Sequence, residues 1–339
     1  MSGSASASLD WYYRGMKTLI LENQLIRMVV LVDKGSDVME LVYRPKNLDV
    51  LWHSPTGHRS PSSQGGLMAT PDSGFMDCYG GGWQDLMPTI GSGPVELHGA
   101  RFGLHGETAV LPWSARIEES EGETVRAVLS FEGRRYPYLL EKTITLREGE
   151  SRIRIAEKVT NTSAQDLEFY WLQHPAFGGR FLAPGCRLEL PKGSRVMCSE
   201  VNARGRVADG ESDWPAVTGR DGSTIDLSVI PSRDVIAEET TFIRVEEGRY
   251  SLVNPVMKLG VELKWDASVF PWVWFWQNYG IPDYPYFGKA WNVAVEPSTS
   301  LPTIMQREGD ARLLKGGASL TTEIEVSLNP CEVDPVGTW

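Results

Sequence analysis

The sequence predicts an all-β protein, a large antiparallel β-sandwich, on three observations. Apolar residues rarely recur at the three- and four-residue spacing of a helix. Apolar–polar alternation and short β-branched runs recur instead, at short intervals. The 34 glycines are spread among these runs, as the many turns of a loop-rich β protein require. More than a dozen strand-like runs without intervening helices argue for stacked antiparallel sheets.

An opening pair is predicted at Thr18–Leu21 and Ile26–Val32, across a turn at Glu22–Gln24. Asp37–Tyr43 is predicted next, then Asp49–Trp52 after the turn Arg44–Asn47. Further predicted strands are Ala115–Glu118, Thr124–Phe131, Tyr138–Arg147, Ser151–Asn161 and Leu167–His174. Strands are also expected near 187–190, 225–230, 241–245, 250–254, 259–265, 272–277, 291–296 and 319–328. Residues 1–10, rich in Ser and Ala, read as a flexible tail. No repeat or low-complexity linker divides the rest, so residues 11–339 are expected to form a single domain.

Ser54–Leu104 stands apart. It is rich in Gly, Pro and Ser and has little periodicity. A structureless stretch of that length inside a compact domain is often functional. It reads either as a surface excursion or as loops lining a pocket, and the run Gly80–Trp83 and two His-Gly pairs favour the pocket.

The net charge of −11 and the absence of a Lys/Arg-rich run argue against nucleic-acid partners. The apolar runs fall short of a membrane span, so no membrane partner is expected. The N-terminus lacks the apolar core of a signal peptide. The four cysteines, Cys78, Cys186, Cys198 and Cys331, form no CxxC pair. Free thiols in the cytoplasm are therefore expected. There is no GxSxG, no P-loop and no strand-associated GxGxxG, so serine hydrolysis and nucleotide chemistry lack support. No cofactor is expected.

There are five histidines. His53 and His58, among Ser and Pro, read as solvated loop residues, and His98 as surface or pocket rim. His105 opens a predicted strand. His174 ends a strongly apolar one, and an isolated His there is more often structural than catalytic. Pro175, with no N–H for a ladder, is expected to take the chain out of regular pairing just after the imidazole. Glu296 repeats the device: an apolar strand, a carboxylate, then Pro297. It is either exposed at a strand end or aimed into a cleft, where burial would raise its pKa and make it a better base. Trp272, Trp274 and Trp276 share one face of a strand. Core packing is the expectation for at least two, with Trp276 the candidate stacking face. His105, Glu107 and His98 are spaced too loosely for a metal site, and none is expected.

Together these segments resemble the aldose 1-epimerases, the galactose mutarotase-like proteins, over almost the whole chain after residue 10. VLVDKGSDVMELVYRPKNLDVLW resembles their opening strands. YGGGWQDLMPTIG resembles their GG-x-x-x-x-x-P loop, and GLHGETAVLPW their HGE…PW stretch. The passage from Tyr138 to Phe177, ending in LQHPAF, and WNVAVEPSTSLP resemble the strands presenting the family's histidine and glutamate. The resemblance implies a β-supersandwich with an open sugar cleft. It implies a mutarotase interconverting α and β anomers, with Glu296 as general base and His174 as general acid. It implies His105, Trp276 and Asp85 as sugar-binding residues. The substrate would be a non-phosphorylated aldose or an acidic sugar, because Glu107 and Thr108 follow His105-Gly106 where hexose-phosphate epimerases carry a phosphate-binding Arg. The Asn-Arg pair of typical galactose mutarotases is absent. A monomer or homodimer is expected. The rival readings are a non-catalytic carbohydrate-binding protein of the same fold and a lyase or glycosidase-associated domain.

Overall fold

Two large antiparallel sheets stacked face to face account for most of the chain in the computed structural model. The structure describes residues 4–60, 73–91, 94–199, 204–302 and 310–331. The larger sheet has 14 strands. Its centre runs Asp37–Tyr43, Trp83–Leu86, Leu172–Phe177, Trp291–Ser298, Trp272–Tyr279 and Ala237–Arg244, in that spatial order. The smaller has eight, centred on Tyr138–Arg147, Arg152–Asn161 and Ser319–Pro330. Among the described residues the only α-helix is the single turn Ser73–Met76, and no helix is long and apolar enough to cross a membrane.

The core follows from the period of two. Tyr138–Arg147 alternates buried and half-exposed residues along almost its whole length, so one face meets the partner sheet and the other meets solvent. The central strands of the larger sheet are buried on both faces, as in Trp291–Ser298. One face packs on the smaller sheet through Val293, Val295, Val273 and Phe275. The other supports a separate apolar cluster that includes Leu86, Leu172, Ala176, Trp274 and Ala294. A sheet buried on both faces loses the alternation signal.

Three sequence expectations need correction. The tail is structured from Ala5: Ala5–Ser8 is a strand between Met16–Glu22 and Glu121–Gly122. Its Ala-Ser alternation puts Ala5 and Ala7 into the core and leaves the serines half-exposed. The run Leu167–His174 is two strands. Leu167–Phe169 pairs with Arg312–Leu314 in a small side sheet, and Leu172–Phe177 lies in the large one. Between them the backbone N–H groups of Tyr170 and Trp171 donate to Pro88 O and Thr299 Oγ1, so the chain changes sheets without orphaning donors. The strand near 225–230 is confined to Thr224–Asp226.

Candidate active site

The histidine strand continues through Pro175 to Phe177, against the expectation that it ends at the imidazole. Pairing with the Trp83–Leu86 strand survives because each residue meets a partner there, Gln84 opposite His174 and Trp83 opposite Pro175. On its other side the strand pairs with Trp291–Ser298 at Leu172↔Ser298 and at Ala176↔Ala294. The ladder lapses between these points, where Pro175 and Pro297 contribute no N–H. The register places His174 directly opposite Glu296. Glu296 in turn lies opposite Trp274 on the tryptophan strand. Gln84, His174, Glu296 and Trp274 therefore form one row across four strands, on one face of the sheet.

His174 Nε2 and Glu296 Oε1 are 3.6 Å apart. That is just beyond hydrogen-bond reach, so each can turn to a ligand. Both side chains are buried, at 7 % and 3 % exposure. Tyr79 Oη lies 3.4 Å from His174 Nδ1. With His174 Nδ1–H donating to the phenol oxygen, Nε2 of the neutral imidazole presents its lone pair toward Glu296 and can accept a proton. Burial pushes the Glu296 carboxyl well above the carboxylate range. Burial also lowers His174 to about 4, with Lys34 adding to the shift. Of the two, the carboxyl therefore holds a proton more readily than the imidazole.

The surrounding cavity is about 230 Å³. Phe75, Tyr79, Trp274, Trp276 and Tyr286 give it aromatic walls. His105 joins them, its ring 5.8 Å from that of His174 and 4.5 Å from Phe75. The backbone N–H of Gly91 donates to His105 Nδ1 at 3.2 Å, which leaves Nε2 to carry the proton of the neutral ring. Burial keeps His105 well below the usual imidazole range. His105 has a φ of 63° and Gly106 one of 73°. A Cβ on Gly106 would lie 2.2 Å from Met87 O, so the His-Gly pair is needed to turn the imidazole inward.

Three predicted binding residues stand as follows. His105 and Trp276 line the cavity. Asp85 does not. It alternates with Gln84 and Leu86 along its strand and so faces the space between the sheets. There it pairs with Lys142 and accepts a bond from Gln173. The tryptophans largely meet expectation, with Trp272 and Trp274 packed in or against an apolar cluster. Trp274 and Trp276 both wall the cavity, and Trp274 additionally packs in the cluster with Phe242, its Nε1–H donating to Ser300 O at 2.8 Å.

His58 is not a solvated loop residue. It is 1 % exposed and lies against Gly80, where a Cβ would sit 2.3 Å from its Nδ1. Burial pushes its pKa well down. His53 is half-exposed and paired with Asp49 at 2.7 Å, and His98 is exposed on a turn. Glu107 accepts backbone N–H bonds from Arg134 and Arg135, each at 3.2 Å. Among the described residues no group of three His, Cys, Asp or Glu side chains is arranged to hold a metal.

Sequence reasoning passed over Phe75, Tyr79, Glu238 and Tyr286. The first two lie in the Gly-rich segment 54–104, whose reading as pocket-lining loops was the available signal. Residues 61–72 and 92–93 of that segment lie outside the described residues. Nothing local marks Glu238 or Tyr286.

This architecture of stacked antiparallel sheets is the galactose mutarotase-like fold. Residues 13–328 match the family described as a domain of unknown function, DUF4432, and the chain belongs to that family. No curated protein matches the sequence. Among solved structures, the chain is similar to a Klebsiella pneumoniae protein provisionally named an aldose 1-epimerase. That match has 16 % identity and a TM-score of 0.74, over 97 % of this chain and 84 % of the other. A galactose mutarotase-like protein from Clostridium acetobutylicum matches at 11 % identity and a TM-score of 0.67, over 96 % and 99 %. One from Lactobacillus casei matches at 17 % and 0.63, over 92 % and 100 %. At such identities the likeness is one of fold.

Proposed function

We propose that the protein is a sugar mutarotase acting on a non-phosphorylated aldose, with Glu296 and His174 as its acid–base pair. The observation that carries this reading is their 3.6 Å approach inside an aromatic-walled cavity. Sugar binding brings hydroxyl groups to both side chains. A proton passing from Glu296 to His174 then creates a carboxylate and an imidazolium without changing the charge of the pocket. Glu296 takes the proton of the anomeric hydroxyl, and His174 gives one to the ring oxygen. The bond between C1 and the ring oxygen breaks to an open-chain aldehyde. Rotation about C1–C2 presents the other carbonyl face, and reclosure with the roles exchanged gives the other anomer. Trp276 supplies an apolar face for the sugar's C–H groups, and His105 Nε2–H a donor for a hydroxyl.

Each well-placed proton transfer contributes roughly 10²–10⁴-fold. Exchange NMR on a panel of aldoses is expected to show accelerated anomer exchange. Glu296→Gln is expected to cost about 10²–10⁴-fold while sugar binding persists. Undiminished exchange in that variant rejects the assignment. Binding lost on Trp276→Ala, with no catalysis by the wild type, turns the reading to a carbohydrate-binding protein. The pH profile adds a second check. The one-proton state of the pair survives until His174 is protonated, so the acid limb of kcat/KM is expected near pH 4 rather than 6.5.

A further inference from the structure

We infer that the sugar taken by this pocket is cationic, an amino sugar whose ammonium sits beside Glu238, Trp276 and Tyr286. This rests on the mutarotase reading and names its substrate class.

The first ground is the sign of the wall. Besides the imidazoles, the ionisable groups of acidic or basic type lining the cavity are the carboxyls of Glu238 and Glu296, and no lysine or arginine lines it among the described residues. Two cations of the surrounding fold are engaged elsewhere. Lys34 is buried in an ion pair with Asp37, and Arg204, whose backbone bridges to Glu238, pairs with Asp283 at 3.0 Å. An anionic sugar would enter with no partner for its charge. Burying a charge unpaired is costly, so acidic sugars, open on sequence grounds, are disfavoured here.

The second ground is the aromatic wall. Trp52 gathers Tyr79, Trp276 and Tyr286 about itself, with ring centroids at 5.8, 6.4 and 5.2 Å. Tyr79, Trp276 and Tyr286 then face the cavity together with Phe75 and Trp274. Aromatic rings gathered around a small space with a carboxylate at its edge attract ammonium groups through their quadrupoles and exclude anions. Neutral sugars stack on such rings as well, but they draw nothing from a carboxylate's charge.

The third ground is unused hydrogen-bonding capacity. Tyr286 Oη is buried and has no hydrogen-bond partner among the described residues, and a buried orphan of this kind calls for a ligand. Glu238 accepts from Trp276 Nε1–H at 3.4 Å, a long bond that leaves most of a carboxylate's acceptor sites open. Its charge reaches Tyr286, adding to the burial that raises the phenol's pKa. Phenol and carboxylate line the same cavity. An ammonium, with three donors and no acceptor, can donate to both.

The test is calorimetric titration of the wild type and of Glu238→Gln at pH 6.5. The probes are the 2-amino, 3-amino and 6-amino derivatives of glucose, glucose itself and glucuronate. At least one amino sugar is expected to bind about tenfold more tightly than glucose, and glucuronate most weakly. Glu238→Gln is expected to erase that preference, so that within the variant the amino sugars bind no more tightly than glucose. Glucose matching every amino sugar, glucuronate binding best, no amino sugar binding at all, or a preference that survives Glu238→Gln would each overturn the inference. Anomer exchange on the same sugars separates it from the mutarotase reading. A charge preference without exchange sinks only the catalysis, and exchange of glucose without preference sinks only the ammonium site.

Discussion

Gln173 and His174 are adjacent residues that enter two different buried polar environments. Gln173 faces the space between the sheets. There Lys142 pairs with Asp85 and donates to Ser36 Oγ at 2.7 Å, and Gln173 Nε2 bonds Asp85 and, at 3.0 Å, Glu157. Burial and the charge of Asp85 raise Glu157 well above its usual range. Burial opposes ionisation of Asp85 as well, but Lys142 and the hydrogen bonds around it win, and its pKa falls. The ion pair here is made and held. His174 faces the cavity, where the opposing carboxyl stands 3.6 Å away and bonds to it are not closed. One face of the sheet spends its buried charge on fixed partners. On the other, His174 and Glu296 stop short of bonding. On the proposed function, a structural cluster and a reactive pair differ in whether the last hydrogen bond has been made.

The largest expected effect is on the inner face. Lys142→Met removes the cation and leaves Asp85 without its counter-charge between the sheets. Breaking a buried pair in this way costs about 3–5 kcal/mol. Denaturant unfolding is expected to show that loss, while sugar turnover per folded molecule stays near wild type. A variant as stable as wild type would mean that the cluster is not held by charge. A variant that folds normally but loses turnover would break the distinction between the two faces.

The fold was legible because antiparallel strands announce themselves by alternation and turns, and most strand positions follow from that pattern. The site was legible in part, through the apolar strands that end in His-Pro and Glu-Pro. Those prolines do open the ladder, but between strands rather than by ending one. Which residue lies across from His174 depends on the register of strands more than a hundred residues apart, and no local pattern encodes that. Asp85 shows the cost of ignoring parity. Its neighbour Gln84 lies opposite His174, so the period of two sends Asp85 to the other face. His58 was misread for a different reason. Its neighbours are loop-forming residues, and its burial comes from the approach of Gly80, a contact with no trace in the residues around it.

A smaller effect sharpens the comparison from the pocket face, through the pH dependence of stability. Glu296 has a folded pKa raised well above its ordinary value of 4.5. Between 4.5 and the folded value, the folded state holds a proton that the unfolded chain has released. Stability from this group is therefore complete below about pH 4.5 and declines as pH rises through that window. The slope is at most about 1.4 kcal/mol per pH unit for one group. Gln cannot ionise, so Glu296→Gln removes the decline. Thermal unfolding of the two proteins from pH 5 to 8 should show the variant gaining steadily on the wild type. Asp37, which burial raises to about 6, titrates in both proteins and cancels from the difference. Parallel curves would mean that Glu296 ionises freely in the folded protein. The pocket carboxyl would then be a settled charge like Asp85, and the contrast between the two faces would fail.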